Sequence, residues 1–455
     1  MIKQYFIWVV VFIFSLFAVG CSTDNESNDL LENNDEPVAE DVSTPIEVPD
    51  DPNAVRIWTP SPNLLIGDQM ITVEWPTSFA YPQFEAVETR ICCLEPLATP
   101  DYFEVYQSDN LHGNYIKVGT INEWHSGLAV CHISHLTNQK VYYFYVKALK
   151  DGFSSTISDT IMSVPNRLPS QNVLFSKDAE FVQAVISPGK DRVAYVDHYY
   201  TWYDQFERMA STIFISDMNG KNPEKIEINS YSPDWSPDGK TIVFHTDKGE
   251  INTGNGMASQ IAVYDCQSKT IKKLTNDHYS KYEPVFSKTG DKILCMLIDD
   301  EQRENYYLLI DSKTGASRTI LDWKANNLTY WGYSERGAWI DDDRFLFHAK
   351  NENYIYGIYE YSVDTEQLKL VMDTPYNDCS PLISPDEKYL LFISDRSGYE
   401  QLWLYNFNSE KLKQLTSFSY KDTNYISNAN RLGWIDNNTV YFNPNRNKVV
   451  TIQID

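Results

Sequence analysis

The sequence predicts an all-β protein, a six-bladed β-propeller preceded by a small β-sandwich. Six times between residues 180 and 442 the chain repeats one phrase: a bulky apolar residue, a polar turn, then a strand. The copies read Ile186-SPGKD-RVAY, Trp235-SPDGK-TIVF, Phe286-SKTGD-KILC, Trp339-IDDDR-FLF, Ile383-SPDEK-YLLF and Trp434-IDNNT-VYF. Successive anchors stand 49, 51, 53, 44 and 51 residues apart. A period of that size, built only from strands and turns, fits radial blades better than a sandwich. Ahead of residue 166 the pattern changes to alternating strands without S-P-D-G turns, which marks a separate, smaller unit.

From the N-terminus, residues 1–20 carry Lys3, an apolar run from Tyr5 to Val19 and small residues before Cys21. That arrangement predicts a signal peptide, since the run is short for a permanent span. The string Leu16-Phe-Ala-Val-Gly-Cys21 resembles a bacterial lipobox. The resemblance implies that Cys21 is diacylated and becomes the mature N-terminus, so the chain is expected to be exported and held at a membrane through lipid. Residues 21–55 hold eleven acids between Ser22 and Pro52 and no Lys or Arg. Such a composition cannot bury enough surface to fold and predicts a tether. A net charge of -25 and a pI near 4.7, with no basic cluster, exclude nucleic acid as a partner.

Residues 56–166 form the next predicted unit. In Leu136-TNQKV-Tyr142-Y-Phe144-Y-Val146-K-Ala148, alternate residues are apolar, as in a strand with one buried face. The segment resembles the fibronectin type III strand that carries the tyrosine corner, with Leu136 packed inward and the Tyr142 hydroxyl bonded back to the loop. Trp75 in MITVEW fits the early core tryptophan, and YFEVYQSDNLHGNYIKVGTI fits the central strand pair. The long stretch from Trp75 to Tyr102 departs from that pattern and predicts an extra hairpin or loop holding Cys92 and Cys93. Either of these lies in the same small unit as Cys131, where a bridge is natural, whereas Cys266, Cys295 and Cys379 sit singly in three blades and read as buried thiols.

Residues 167–455 make the ring. Where the phrase is S-P-D-G or close to it, Pro presets φ, Asp and Gly accept tight-turn geometry, and β-branched or aromatic residues resume a buried strand. Each of the first five copies continues with a second hairpin, for example QIAVYD-CQSKT-IKKLT, which brings the period to four strands. The last copy ends in VVTIQID with no fourth strand, so NVLFS near residue 174 is expected to close the ring. The phrase S-P-D-G-K-x-I-x-F, an I-x-V-Y-D strand and a K-x-L-T ending look like the propeller repeat of the TolB family. That resemblance implies the fold and a binding role at the cell envelope. Propellers of this type also serve peptidases and oligogalacturonate lyases, so fold alone does not assign function.

No complete catalytic motif is found. Gly332-Tyr-Ser334-Glu-Arg-Gly337 has the wrong spacing for a nucleophile elbow. His245 and His348 follow the second strands of their blades, and His198 and His278 fall in segments expected nearby. Lyases with this type of propeller hold a divalent metal with several histidines, which makes a metal-dependent polysaccharide lyase the alternative reading. The main expectation is recognition without a cofactor. Segments joining strand four to strand one, and strand two to strand three, leave a propeller on one side, and here they are rich in aromatics. Trp202, Tyr203, Tyr330 and Trp331 are the expected ligand anchors for an envelope protein, peptide or glycan, because Trp and Tyr supply flat contact area with a polar tip.

Overall fold

The computed structural model describes residues 59–454 apart from 78–99, 125–126, 151–152, 156, 178–180, 204–205, 248–257, 300–303, 330–335, 420–430 and 446. Both regions below belong to one compact unit, Val55–Asp455. The expected signal peptide and Cys21, the tether, and Cys92 and Cys93 lie outside the described residues, as do Tyr330, Trp331 and Ser334.

Six four-stranded antiparallel sheets follow one another along the chain, each ordered by sequence from its inner to its outer strand. The inner strands are Phe181–Ile186, Ser230–Trp235, Ser280–Phe286, Ala338–Trp339, Asp378–Ile383 and Leu432–Asp436. The sixth sheet takes its outer strand from the other end of the ring: Lys448–Gln453 pairs with Gln171–Ser176, as the missing fourth strand required. Closure of this kind ties the two ends of the ring together within one blade.

The turn chemistry is local. In the second blade the Ser236 hydroxyl accepts the Thr241 N–H at 2.9 Å and donates to Asp238 Oδ1 at 2.7 Å. Gly239 closes that turn at φ 68°, a left-handed conformation that suits glycine. Ser187 and Ser384 repeat the arrangement, accepting Arg192 N–H and Tyr389 N–H at 3.0 Å. Where Ser-Pro is lost, the carboxylates of W-I-D replace the hydroxyl. Asp341 Oδ1 accepts Arg344 N–H at 2.7 Å, and Asp436 Oδ1 accepts Asn438 N–H at 3.0 Å. The K-x-L-T threonines serve the second hairpins, with Thr275 Oγ1 accepting Ile261 N–H and Thr416 Oγ1 accepting Leu402 N–H, each at 2.9 Å.

The anchors join neighbouring blades. Trp235 is buried between blades one and two, donates its indole N–H to Val185 O at 3.1 Å, and lies under the Arg192 guanidinium at 4.7 Å. Phe286 and Trp339 are buried in the equivalent places.

Before the ring, a sheet of Asn63–Gly67, Met70–Pro76 and Leu128–Ile133 faces a second sheet. The second sheet is built on Ile116–Ile121, Tyr102–Ser108 and Tyr142–Lys150. One core fills the space between them, with Trp75 packed edge-on to Phe103 at 5.3 Å. Leu136 is buried, and the Tyr142 hydroxyl accepts Thr137 N–H at 3.0 Å. Cys131 is a free thiol in this core, raised in pKa by burial. The region docks on the fifth blade. Asn63 donates to Phe418 O at 3.1 Å and accepts Tyr399 N–H at 3.2 Å, while Ser163 donates to Gln414 Oε1 at 2.9 Å.

One expectation needs correction. Trp202 and Tyr203, expected in the loop segment that joins strands two and three, lie at the end of a strand, Arg192–Tyr203, paired with Phe206–Asp217. Trp202 stands opposite Glu207 and Tyr203 opposite Phe206. Tyr, Trp and Thr favour extended backbone, and a run of them with a partner strand continues a hairpin instead of unravelling it.

Candidate functional site

Two places on the propeller have the geometry of a site. The first is the channel at the ring's centre. Counting back from the six anchors, the third residue is Gln183, Ser232, Glu283, Arg336, Ser380 and Arg431, one from each blade. In four blades it sits at a register break of the inner strand with positive φ: Gln183 at 54°, Ser232 at 54°, Glu283 at 53° and Ser380 at 52°. A bulge re-aims its side chain, and here the side chains meet around the ring. Gln183 Oε1 accepts Ser232 N–H at 2.7 Å, and the Ser232 hydroxyl donates to Glu283 Oε1 at 2.7 Å.

The chain of contacts ends on ion pairs. Arg431 Nη2 lies 2.6 Å from Glu283 Oε2, with side chains 5% and 3% exposed. Blades three and six are opposite in a six-membered ring, so this pair crosses the channel. Arg336 pairs with Asp234, whose other oxygen accepts Phe286 N–H at 2.9 Å. Burial alone would raise the Glu283 pKa; Arg431, His245, the Ser232 hydroxyl and Arg336 together hold it below the ordinary carboxylate value. Burial in turn lowers Arg431, against the pull of Glu283.

Between this polar layer and the S-P-D-G turns is a cavity of about 380 Å³ that takes residues from all six inner strands. Val185, Val285, Trp235, Phe286, Trp339 and Trp434 contribute apolar wall, while Asp234, Arg336 and Arg431 contribute charge. Exposed Lys190 and Lys288 stand at its rim. Trp235, Phe286 and Trp339 therefore face both the blade interior and the cavity.

The second place is the opposite face. The pair Arg192–Tyr203 and Phe206–Asp217 stays in register through residues 198–211, beyond the last pairings to its flanking strands at Asp197 and Thr212. The result is a two-stranded arm on the side where strand two turns into strand three. It holds Trp202 and Tyr203 near its tip.

The histidines do not share a location that the described side chains bring to one point. His245 is buried, with its ring 5.2 Å from both Tyr231 and Tyr282, and burial lowers its pKa to about 4. His348 is buried two blades away, accepts Ser380 N–H on Nδ1 at 3.3 Å, and is lowered to about 3 by burial. His278 is exposed against the Tyr279 ring at 3.9 Å, and His198 lies in the arm strand opposite Ser211. Among the described residues no three His, Cys, Asp or Glu side chains are grouped to hold an ion. The polar ring was missed from sequence because its six residues differ in type. Its signal is the fixed offset from the anchors.

No family model matches the chain. It is 23% identical over 203 residues to the uncharacterized protein Atu1656 of Agrobacterium fabrum, covering 44% of this chain and 62% of that one. It is 25% identical over 178 residues to the uncharacterized peptidase YuxL of Bacillus subtilis, covering 37% of this chain and 22% of that one. The chain thus spans less than two thirds of either relative. Among solved structures it is similar to TolB from Acinetobacter baumannii, at 13% identity and a TM-score of 0.40, over 70% of this chain and 78% of that one. It is also similar to a putative TolB from Agrobacterium tumefaciens, at 13% identity and a TM-score of 0.43, over 65% and 94%. An oligogalacturonate lyase in complex with manganese is matched at 9% identity and a TM-score of 0.40, over 63% and 97%.

Proposed function

We propose that the protein is an exported, lipid-anchored binding protein of the bacterial cell envelope that recognises a protein, peptide or glycan through the arm-bearing face of its propeller. Cys21 carries the lipid, residues 21–55 are the tether, and the fibronectin type III-like region at 56–166 is docked on the ring at 167–455. The observation that supports the reading is the two-stranded arm at 198–211, which continues one hairpin past the pairings of its own blade and has Trp202 and Tyr203 at the end of its first strand. Tyr330 and Trp331, which precede the fourth blade in the sequence, are proposed to join them. Recognition surfaces draw most of their energy from a few such aromatics.

Two experiments test it. Metabolic labelling with a fatty-acid analogue is expected to tag the wild type and not Cys21→Ser; equal labelling of both would remove the anchor from the proposal. Replacing Trp202, Tyr203, Tyr330 and Trp331 with Ala is expected to abolish capture of the partner from envelope extracts, at roughly 2 kcal/mol or more per anchor, with an unchanged melting temperature. Full capture by the quadruple variant would place recognition elsewhere.

A further inference from the structure

We propose that the cavity at the turn side of the channel is a second, independent binding site, one that takes a carboxylate on a flat apolar body. The carboxylate is held by Arg431 and Arg336 and the body lies against Trp235, Phe286 and Trp339.

The volume comes first. About 380 Å³ is within the range of sites for small ligands, and the radial arrangement of the blades leaves it open at the centre of the ring. Charge comes second. A guanidinium that is 5% exposed costs free energy unless its donors are satisfied. Glu283 Oε2 faces Arg431 Nη2 as an ion pair, while Nε and Nη2 of Arg431 are both buried with no hydrogen-bond acceptor among the described residues. Arg336, 22% exposed, spends Nη2 on Asp234, and among the described residues its other donors meet no acceptor. Two forks lining one pocket match a carboxylate, which accepts paired N–H donors in a planar geometry.

Polarity and shape complete the argument. The whole chain carries -25, yet the lining of this cavity holds Lys190, Lys288, Arg336 and Arg431 against Asp234 alone, with Glu283 behind Arg431 and Asp436 4.0 Å from Lys190. An acidic protein that gathers cations around one concavity draws an anion toward it. The walls beyond the arginines are indole, phenyl and aliphatic, so the rest of the ligand is apolar and flat enough to lie between aromatic faces. The site faces away from the arm and works without it.

The test uses the full chain in detergent, with 3-phenylpropionate and its amide as one probe pair. A second pair is the peptide acetyl-Ala-Ala-Phe and its C-terminal amide. Binding is read by quenching of tryptophan fluorescence and by calorimetry. Each acid is expected to bind at least about ten-fold more tightly than its amide, the value of roughly one charge-assisted pair. A preference in the first pair alone identifies a small free carboxylate, and in the second pair alone a peptide terminus. Arg336→Gln, which keeps a donor but not the fork, is expected to erase the preference; Lys288→Glu, on the exposed rim, is expected to weaken both acids without touching the fold. The proposal is overturned if neither acid binds at millimolar concentration or if acid and amide bind equally. It is also overturned if both variants, with melting temperatures of the wild type, bind as the wild type does.

Discussion

Removing the carboxylate of Glu283 is expected to destabilise the propeller more than any single exposed change. The Glu283 and Arg431 side chains are 3% and 5% exposed, and their contact at 2.6 Å crosses the ring from blade three to blade six. Glu283→Ala leaves a buried guanidinium without its counter-charge and deprives the Ser232 hydroxyl of its acceptor. Breaking a buried pair in this way costs about 3–5 kcal/mol, a large share of the 5–15 kcal/mol typical of a folded domain, and lowers the melting temperature by roughly 10 °C for a ring of this size. The double variant Glu283→Met, Arg431→Met removes both charges and refills the volume, so it is expected to stay within about 1 kcal/mol of the wild type. Thermal and urea unfolding followed by circular dichroism measure both. Because Glu283 is held below its ordinary pKa of 4.5, the contribution of the pair is present above that value and is lost as pH falls through the lower value of the folded state. If Glu283→Ala unfolds within about 0.5 kcal/mol of the wild type, or the double variant is as unstable as the single one, the pair does not bridge the channel as described.

Trp235→Ala is expected to cost about 3–5 kcal/mol through lost burial, since Trp235 packs between two blades and donates to Val185 O; an unchanged unfolding midpoint would show the repeat register to be wrong. His245 is neutral and buried, with a folded pKa of about 4 against an ordinary 6.5. The unfolded chain therefore binds the extra proton between those values, and stability is expected to fall by about 3 kcal/mol as pH drops across that window. His245→Phe is expected to flatten this part of the profile in urea titrations at stepped pH, and an unaltered slope would refute the assignment. Gly398 has φ 103°, and a Cβ there would lie 2.2 Å from Pro62 O. Gly398→Ala is thus expected to separate the small region from the fifth blade, giving two calorimetric transitions and faster proteolysis near residues 164–170; a single unshifted transition would mean that the docking does not depend on this approach.

The ring was readable because its turns repeat a chemical role and not merely a string. Ser187, Ser236, Ser287 and Ser384 supply a hydroxyl acceptor, and Asp341 and Asp436 supply a carboxylate acceptor in the two blades that lost the serine. Any side-chain oxygen at that point closes the turn, so a degenerate phrase still specified a blade. The arm was misread for the converse reason. HYYTWY contains no Gly, Pro or Asn, the residues that break strands, and its Tyr, Trp and Thr content favours extension. Aromatic content points to a recognition loop, but strand propensity is the stronger signal in this segment.

The polar ring shows what a repeat hides. Anchor and turn positions are alike from blade to blade because every blade must solve the same packing problem. The residue three before the anchor faces the channel, where no such constraint acts, and it is free to be Gln, Ser, Glu, Arg, Ser and Arg in turn. Its chemistry exists only after closure, since Glu283 and Arg431 are distant in the chain and become partners only when blades three and six face each other. Any site at the centre of a propeller must be composed this way, one residue per blade. Stacking the repeats on their anchors and reading down the column that does not repeat is therefore the sequence operation that would have found it.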